Sequence, residues 1–156
     1  MKDKSRFSRI GIGGLMFLGL FALLATMSVL KYYSLHSTIA DLGVYFNFFA
    51  NIQWGEWKRL LSAHTLPLIP IWALIYGTGP LDMGASLVLI AQAAALTWPV
   101  AVIYHRFGIL PALAFLLYFP LWYNALFDFH IDHLAVSFLF GFFFLKKGAG
   151  FGPQYF

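Results

Sequence analysis

The chain has 156 residues, of which 61% are hydrophobic, 20% aromatic and only 10% charged. Soluble domains carry about 25% charged residues, and a water-soluble fold of this length could not bury so much apolar surface. The net charge of +4 comes from basic residues that flank apolar stretches, which argues against a nucleic-acid-binding surface. The absence of cysteine excludes disulfides, thiolate nucleophiles and iron–sulfur sites.

The first predicted element is a membrane-spanning helix over residues 10–30, which contain no charged side chain. At about 1.5 Å rise per residue, this stretch crosses a hydrocarbon core of roughly 30 Å. The basic residues ahead of it, Lys2 to Arg9, resemble the start of a signal peptide, but the apolar run is much longer than the usual stretch of about 7–15 residues. We therefore predict an uncleaved helix with a cytoplasmic N-terminus.

Residues 31–84 form the predicted first outside loop, which contains two short helices. Residues 41–57 mix aromatic and polar side chains, a pattern typical of an interfacial amphipathic helix, and this helix is expected to end near Gly55. Residues 65–76 are apolar but too short to span a bilayer, so we predict a half-helix that returns to the outside.

Three further spans follow this loop. Residues 85–104 form the second span, with a kink expected at Pro99, residues 107–123 return outward, and residues 128–145 return inward. The apolar runs do not alternate as the strands of a transmembrane barrel do. The sequence therefore predicts an all-α polytopic membrane protein. It is a single integral membrane domain with four transmembrane helices, an outside interfacial helix and a short re-entrant half-helix.

The basic residues orient these helices. With four spans, seven of the ten Lys and Arg residues lie inside and three outside, as the positive-inside rule requires. If residues 65–76 spanned the membrane, Arg106 and the C-terminal lysines would lie outside. Both termini are therefore predicted to be cytoplasmic. The inside residues are Lys2, Lys4, Arg6, Arg9, Arg106, Lys146 and Lys147, and the outside residues are Lys31, Lys58 and Arg59.

This topology gathers most acids and histidines on the outside face, and residues 128–133 are the densest cluster. In a helix, Asp128 and Asp132 share one face, and His130 and His133 share another. Such a carboxylate pair can hold a divalent cation, with a histidine as ligand or proton carrier. Alternatively, Asp128 or Asp132 only caps the helix N-terminus, and the histidines lie among the headgroups.

Two other residues of this face, Asp41 and His64, each have a structural interpretation when taken alone. Asp41 is a lone acid among apolar residues and, taken alone, is typical of an N-cap for the helix that follows. His64 precedes the apolar half-helix and, taken alone, is typical of a residue at the membrane interface.

Four short motifs together resemble a large group of predicted bacterial and archaeal multi-pass membrane proteins of unknown function. The resemblance covers roughly residues 30–145. In the most specific motif, Ile131 replaces the proline of a Phe-Asp-Phe-His-Pro pattern. The motifs here are His36 with Ala40-Asp41-Leu42-Gly43, then Trp54-Gly55-Glu56, then His64-Thr65-Leu66-Pro67, and Phe127-Asp128-Phe129-His130-Ile131-Asp132.

That group is similar in outline to the glycosyltransferase-C superfamily, whose enzymes use lipid-phosphate sugar donors. The resemblance implies that Asp41 is a catalytic base or metal ligand in the first outside loop. It implies that Asp128, or Asp132, is the second acid. His64 and His130 would then help to bind metal or phosphate. The implied metal is Mg²⁺ or Mn²⁺, held by Asp41, Asp128, Asp132 and His130.

The chain is shorter than members of that superfamily and looks like a shortened, N-terminal-half version. This favours a non-catalytic accessory subunit, in a prokaryotic inner (cytoplasmic) membrane, that packs beside other integral membrane subunits and membrane lipids and can hold a lipid or pigment. The alternative is a glycosyltransferase, or its N-terminal portion, that uses a polyprenyl-phosphate sugar at the outer face. A transporter fits less well, because Gln92 is the only strongly polar residue at the centre of a predicted span.

Overall fold

The protein is described by a computed structural model that covers residues 2–34, 39–53, 55, 68–80, 83–127 and 129–142. For residues 2–10, 39–41, 53 and 127 it covers the backbone alone. Every regular element in these ranges is helical, which confirms the all-α prediction for the described part of the chain. The helices are α1 (Lys2–Tyr33), α2 (Ile39–Gln53), α3 (Ile69–Gly77), α4 (Gly84–Thr97), α5 (Pro99–Phe107), α6 (Ile109–Leu116), α7 (Phe119–Phe127) and α8 (His133–Phe140).

Two stretches are long and apolar enough to cross a membrane. Gly11–Tyr33 lies within α1, and Gly84–Phe107 joins α4 and α5. Helices α6 and α7 are bent by 43° relative to each other and, taken together, make a third candidate span. The described residues therefore contain two or three candidate spans, and these apolar helices indicate a membrane protein.

Helix α4 lies at the centre of the packing. It contacts α1 along one side and α3, α7 and α8 along others, and Val88, Gln92 and Leu96 are buried within it. Small side chains such as Ala85 and Ala93 are also buried, which lets neighbouring helices approach closely. Helix α1 packs against α4, α5 and α7, and it also exposes large apolar side chains such as Leu15 and Leu18.

The junction of α4 and α5 is stabilised by a serine from another helix. Pro99 has no backbone N–H, so the carbonyl of Ala95, four residues earlier, loses its usual helical donor. The Ser137 hydroxyl on α8 donates a hydrogen bond to this carbonyl at 2.5 Å. Because lipid offers no water to freed backbone groups, neighbouring side chains must satisfy them. The sequence predicted a kink at Pro99, and the structure shows which side chain satisfies the carbonyl that this proline leaves without a donor.

At the break between α6 and α7, a side chain likewise binds a carbonyl that a proline leaves without its helical donor. Pro120 leaves the carbonyl of Leu116 without its helical donor, and the indole N–H of Trp122 donates to that carbonyl at 2.6 Å. The predicted span over residues 107–123 is therefore interrupted near its middle. It also runs further than expected, since α7 continues to Phe127.

We expect Ser137→Ala to lower the free energy of unfolding by about 0.5–1.5 kcal/mol, the usual worth of an interhelical hydrogen bond in a membrane protein. In a Pro99→Ala background the same substitution should cost much less, because an alanine at position 99 restores a backbone N–H for the Ala95 carbonyl. Unfolding in mixed micelles, measured for the wild type, both single variants and the double variant, gives the coupling. Equal costs in both backgrounds would contradict this explanation.

The last predicted span begins later than expected. Residues 129–132 are not helical, and α8 begins at His133 rather than at residue 128. The reason is packing: Phe129 and Ile131 are both buried, and a helix would turn side chains two positions apart toward different sides. The prediction that His130 and His133 share one face of a helix is therefore wrong, and Asp132 likewise lies ahead of the helix.

The two short helices of the predicted outside loop are present with shifted bounds. Helix α2 runs over Ile39–Gln53, compared with the predicted residues 41–57. Gly55 follows it with a φ of +84°, a left-handed conformation that glycine adopts readily and that commonly ends helices. Helix α3 covers Ile69–Gly77, compared with the predicted residues 65–76, and residues 65–67 lie outside the described part of the chain.

Candidate functional site

Four aromatic side chains from α2, α3 and the segment before α8, three buried and one partly buried, form one group, which we name the aromatic cluster. The side chain of Phe129 is 0% exposed and is surrounded by the other three rings. Its ring centre lies 4.8 Å from that of Trp72, 5.5 Å from that of Tyr45 and 5.8 Å from that of Phe49, all edge-on. Edge-to-face pairs at this separation stabilise aromatic packing. The cluster therefore fastens α2 and α3 to the segment that carries the predicted site residues.

The residues after Phe129 form a tight turn over residues 130–133, which we name the histidine turn. The backbone N–H of His133 donates to the His130 carbonyl at 3.2 Å. The His130 N–H donates to the side-chain oxygen of Gln92 at 3.1 Å, and the Trp72 indole donates to the Ile131 carbonyl at 3.0 Å. Gln92, which the sequence marked only as an isolated polar residue, thus binds the backbone of this turn.

The three polar side chains of the histidine turn differ in exposure. Asp132 is exposed, His130 is half-buried, and His133 is only 7% exposed. The rings of the two histidines face each other edge-on with their centres 5.7 Å apart. The Nδ1 atom of His133 is buried and has no hydrogen-bond partner among the described residues. Nothing in the sequence distinguished His133 from His130, because the two differ in burial, which only the structure reveals.

Asp132 occupies the predicted capping position but does not make the capping hydrogen bond. Asp132 is the N-cap residue of α8, but its side chain makes no capping hydrogen bond. Its charge still lies at the helix N-terminus, where the helix dipole favours a carboxylate. The prediction that Asp41 is an N-cap is wrong, because Asp41 lies within α2, which begins at Ile39.

Two other predicted site residues, His64 and Asp128, lie outside the described residues, and Asp41 is described by its backbone alone. That Asp41 and Asp128 share one site therefore stays a prediction. Their neighbours in the chain are informative. Leu42 and Phe129 both belong to one buried apolar core with Trp72, so the two segments that carry these acids belong to one packed layer.

The predicted Mg²⁺ or Mn²⁺ site is not completed by the described side chains. Such ions are held mainly by oxygen ligands. Of the four predicted ligands, Asp132 is the only one that brings a described carboxylate, beside the imidazole of His130. Across the described part of the chain, no three His, Cys, Asp or Glu side chains come together as a metal site would require.

Two further polar side chains bind the C-terminal end of α7, next to the predicted site. The Ser28 hydroxyl donates to the Ala125 carbonyl at 2.9 Å, and the Lys31 ammonium donates to the Leu126 carbonyl at 2.6 Å. A cation at a helix C-terminus satisfies free carbonyls and complements the helix dipole. Lys31, which the sequence placed only as an outside flanking charge, therefore holds α1 to α7.

The described geometry is that of a helical membrane protein with several polar side chains bound to its own backbone beside a pair of histidines. No family model matches the chain, and no curated protein and no solved structure matches it either.

Proposed function

We propose that this chain is a non-catalytic structural subunit of a larger membrane assembly, built on a scaffold similar to glycosyltransferase-C. One observation carries the proposal: the polar side chains around the predicted site bind backbone atoms of the segment that bears it. Lys31 donates a hydrogen bond to the carbonyl of residue 126, and Trp72 donates one to the carbonyl of residue 131. Gln92 accepts one from the backbone N–H of residue 130. Side chains used in this way stabilise the fold, as a structural role requires.

The apolar surface of α6 and α7 gives further support. Leu110, Leu117 and Phe119 are 76%, 80% and 72% exposed, and they flank a helix break in which one carbonyl is bound internally by Trp122. Exposed apolar side chains of this size suit contact with lipid tails or with the helix of a neighbouring subunit. We place the partner subunit on this surface.

Photo-crosslinking tests the subunit proposal. A photoreactive amino acid at Phe119 should crosslink to one distinct membrane protein, in native membranes and in the complex isolated in mild detergent. The same group at Leu15, which is equally apolar and exposed on α1, reports lipid contact and should not. A chain that migrates alone and crosslinks only to lipid from both positions would contradict the proposal.

We further propose four spans, with α8 as the fourth, in a prokaryotic inner membrane with both termini inside. The positive-inside distribution supports this orientation. Because the chain has no cysteine, single cysteines report topology without background. With an impermeant maleimide on intact cells, Asp132→Cys should be labelled, and Lys4→Cys and Lys147→Cys should be labelled only after lysis. Labelling of either lysine position from outside would contradict four spans with both ends inside.

The alternative is a glycosyltransferase, or a portion of one, that takes a sugar from a polyprenyl-phosphate donor at the outer face. It is supported by the shared buried core of Leu42 and Phe129, which follow Asp41 and Asp128 in the chain. On this alternative, Asp41→Ala and Asp128→Ala abolish transfer of a labelled sugar from the donor in membranes, while the protein level is unchanged. Transfer that the wild type does not show, or that both variants retain, would reject it.

A further inference from the structure

The histidine turn presents two imidazoles that the structural proposal does not use. His130 and His133 are the first and last residues of the turn, and one hydrogen bond closes the turn between them. We propose that these two side chains bind a divalent transition-metal ion of the Zn²⁺ class. The proposal does not depend on the subunit function, since it concerns only this turn.

The first argument is the unsatisfied nitrogen. His133 is more than nine-tenths buried, and its Nδ1 atom lacks a hydrogen-bond partner among the described residues. Buried side-chain nitrogen atoms almost always have a partner, so an exception asks for an explanation. A neutral imidazole nitrogen is a preferred ligand for Zn²⁺, Cu²⁺ and Ni²⁺, and an ion at this nitrogen supplies the missing partner.

The second argument is the distance between the rings. Zn–N bonds of about 2.0–2.1 Å and near-tetrahedral angles place the centres of two imidazoles on one ion roughly 5.1–5.3 Å apart. The observed centres are 5.7 Å apart. The separation of the two rings is therefore compatible with both imidazoles binding one ion.

The third argument is that the turn is held in place before an ion binds. The backbone N–H of His130 is bound to Gln92, and the carbonyl of Ile131 is bound to Trp72. Phe129 and Ile131, which alternate with the polar residues, are fully buried. Ligands whose backbone is fixed in this way lose little freedom when they bind, which is how metal sites are pre-organised.

The identity of the ion follows from the ligands. No third His, Cys, Asp or Glu side chain joins the two histidines among the residues that the structure describes. The described residues therefore supply two nitrogen ligands, and further groups or water complete the coordination. Such a site favours Zn²⁺ over Mg²⁺, which prefers oxygen ligands in octahedral geometry. It shares His130 with the Mg²⁺ or Mn²⁺ site implied by the family resemblance, but its second ligand is the imidazole of His133 in place of carboxylates.

The test uses the full chain in nanodiscs of phosphatidylcholine, with Co²⁺ as a spectroscopic substitute for Zn²⁺. Titration should give visible absorption bands that saturate at one ion per chain. Stoichiometric Zn²⁺ should remove these bands, and a large excess of Mg²⁺ should not. Both His130→Ala and His133→Gln should weaken binding at least tenfold. His105→Ala is the matched control, because His105 is exposed at the far end of α5, and it should leave binding unchanged.

Nitrogen NMR of ¹⁵N-histidine-labelled wild type keeps the test independent of variant folding. Zn²⁺ should shift the ring nitrogens of two histidines, and these two signals should be the ones missing from His130→Ala and His133→Gln. Three results would overturn the proposal: no saturable binding of Co²⁺ or Zn²⁺ by the wild type, equal displacement by Mg²⁺, or binding that both variants retain at full strength.

Discussion

Phe129→Ala is expected to lower the free energy of unfolding by about 3–5 kcal/mol, the range for removing a large buried aromatic side chain. Phe129 is the ring on which Tyr45, Phe49 and Trp72 converge. Its loss leaves a cavity between α2, α3 and the histidine turn, and rigid rings fill such a space poorly. The measurement is reversible unfolding in mixed micelles, followed by tryptophan fluorescence and by circular dichroism.

Phe119→Ala is the matched control for this prediction, because it removes the same side chain from a position that is 72% exposed. It should change the free energy of unfolding by less than about 1 kcal/mol, since an exposed ring leaves no internal cavity. If both substitutions lower the free energy of unfolding by the same amount, the aromatic cluster is not the structural centre that we describe.

Gly84→Ala is expected to destabilise the protein by about 1–3 kcal/mol, the usual cost of overpacking a filled interior. A Cβ atom at position 84 would lie 2.8 Å from the carbonyl oxygen of Tyr76 and 2.8 Å from its ring. The oxygen belongs to the backbone of α3, so relief requires α3 and α4 to move apart. The close approach of these helices therefore depends on this glycine.

Gly19→Ala is expected to change the free energy of unfolding in the opposite direction in the same assay. Gly19 lies within α1, and nothing comes within 4 Å of a Cβ atom added there. Alanine is the better helix former, so this substitution should raise the free energy of unfolding by up to about 1 kcal/mol. Destabilisation by Gly19→Ala would mean that α1 has a packing partner at this position.

Much of the fold could be predicted because it depends on local sequence properties. Long apolar runs predicted the spans within α1 and α4–α5, and Gly55 predicted the end of α2. These features follow from bilayer thickness and backbone preferences, which act within a few residues. The predicted kink at Pro99 follows from a local rule of the same kind, and Pro99 begins α5.

The remainder depends on contacts between residues distant in the chain. No local rule reveals that Ser137 binds the Ala95 carbonyl, or that Gln92 binds the backbone of His130. The non-helical conformation of residues 129–132 has the same origin. Its charged residues fit a helical pattern, but burial of Phe129 among aromatic rings of α2 and α3 outweighs that preference. The unsatisfied nitrogen of His133 is likewise invisible in the sequence.

The long separations of these contacts set an order for the assembly of the protein during synthesis. The hydrogen bond from Trp72 to Ile131 joins residues 59 positions apart, and that from Ser28 to Ala125 joins residues 97 positions apart. Contacts of this range form late, after the intervening chain has been made and inserted. The rings of Phe49 and Trp72 on the short helices α2 and α3 therefore lack their contact with Phe129 until the histidine turn has been made.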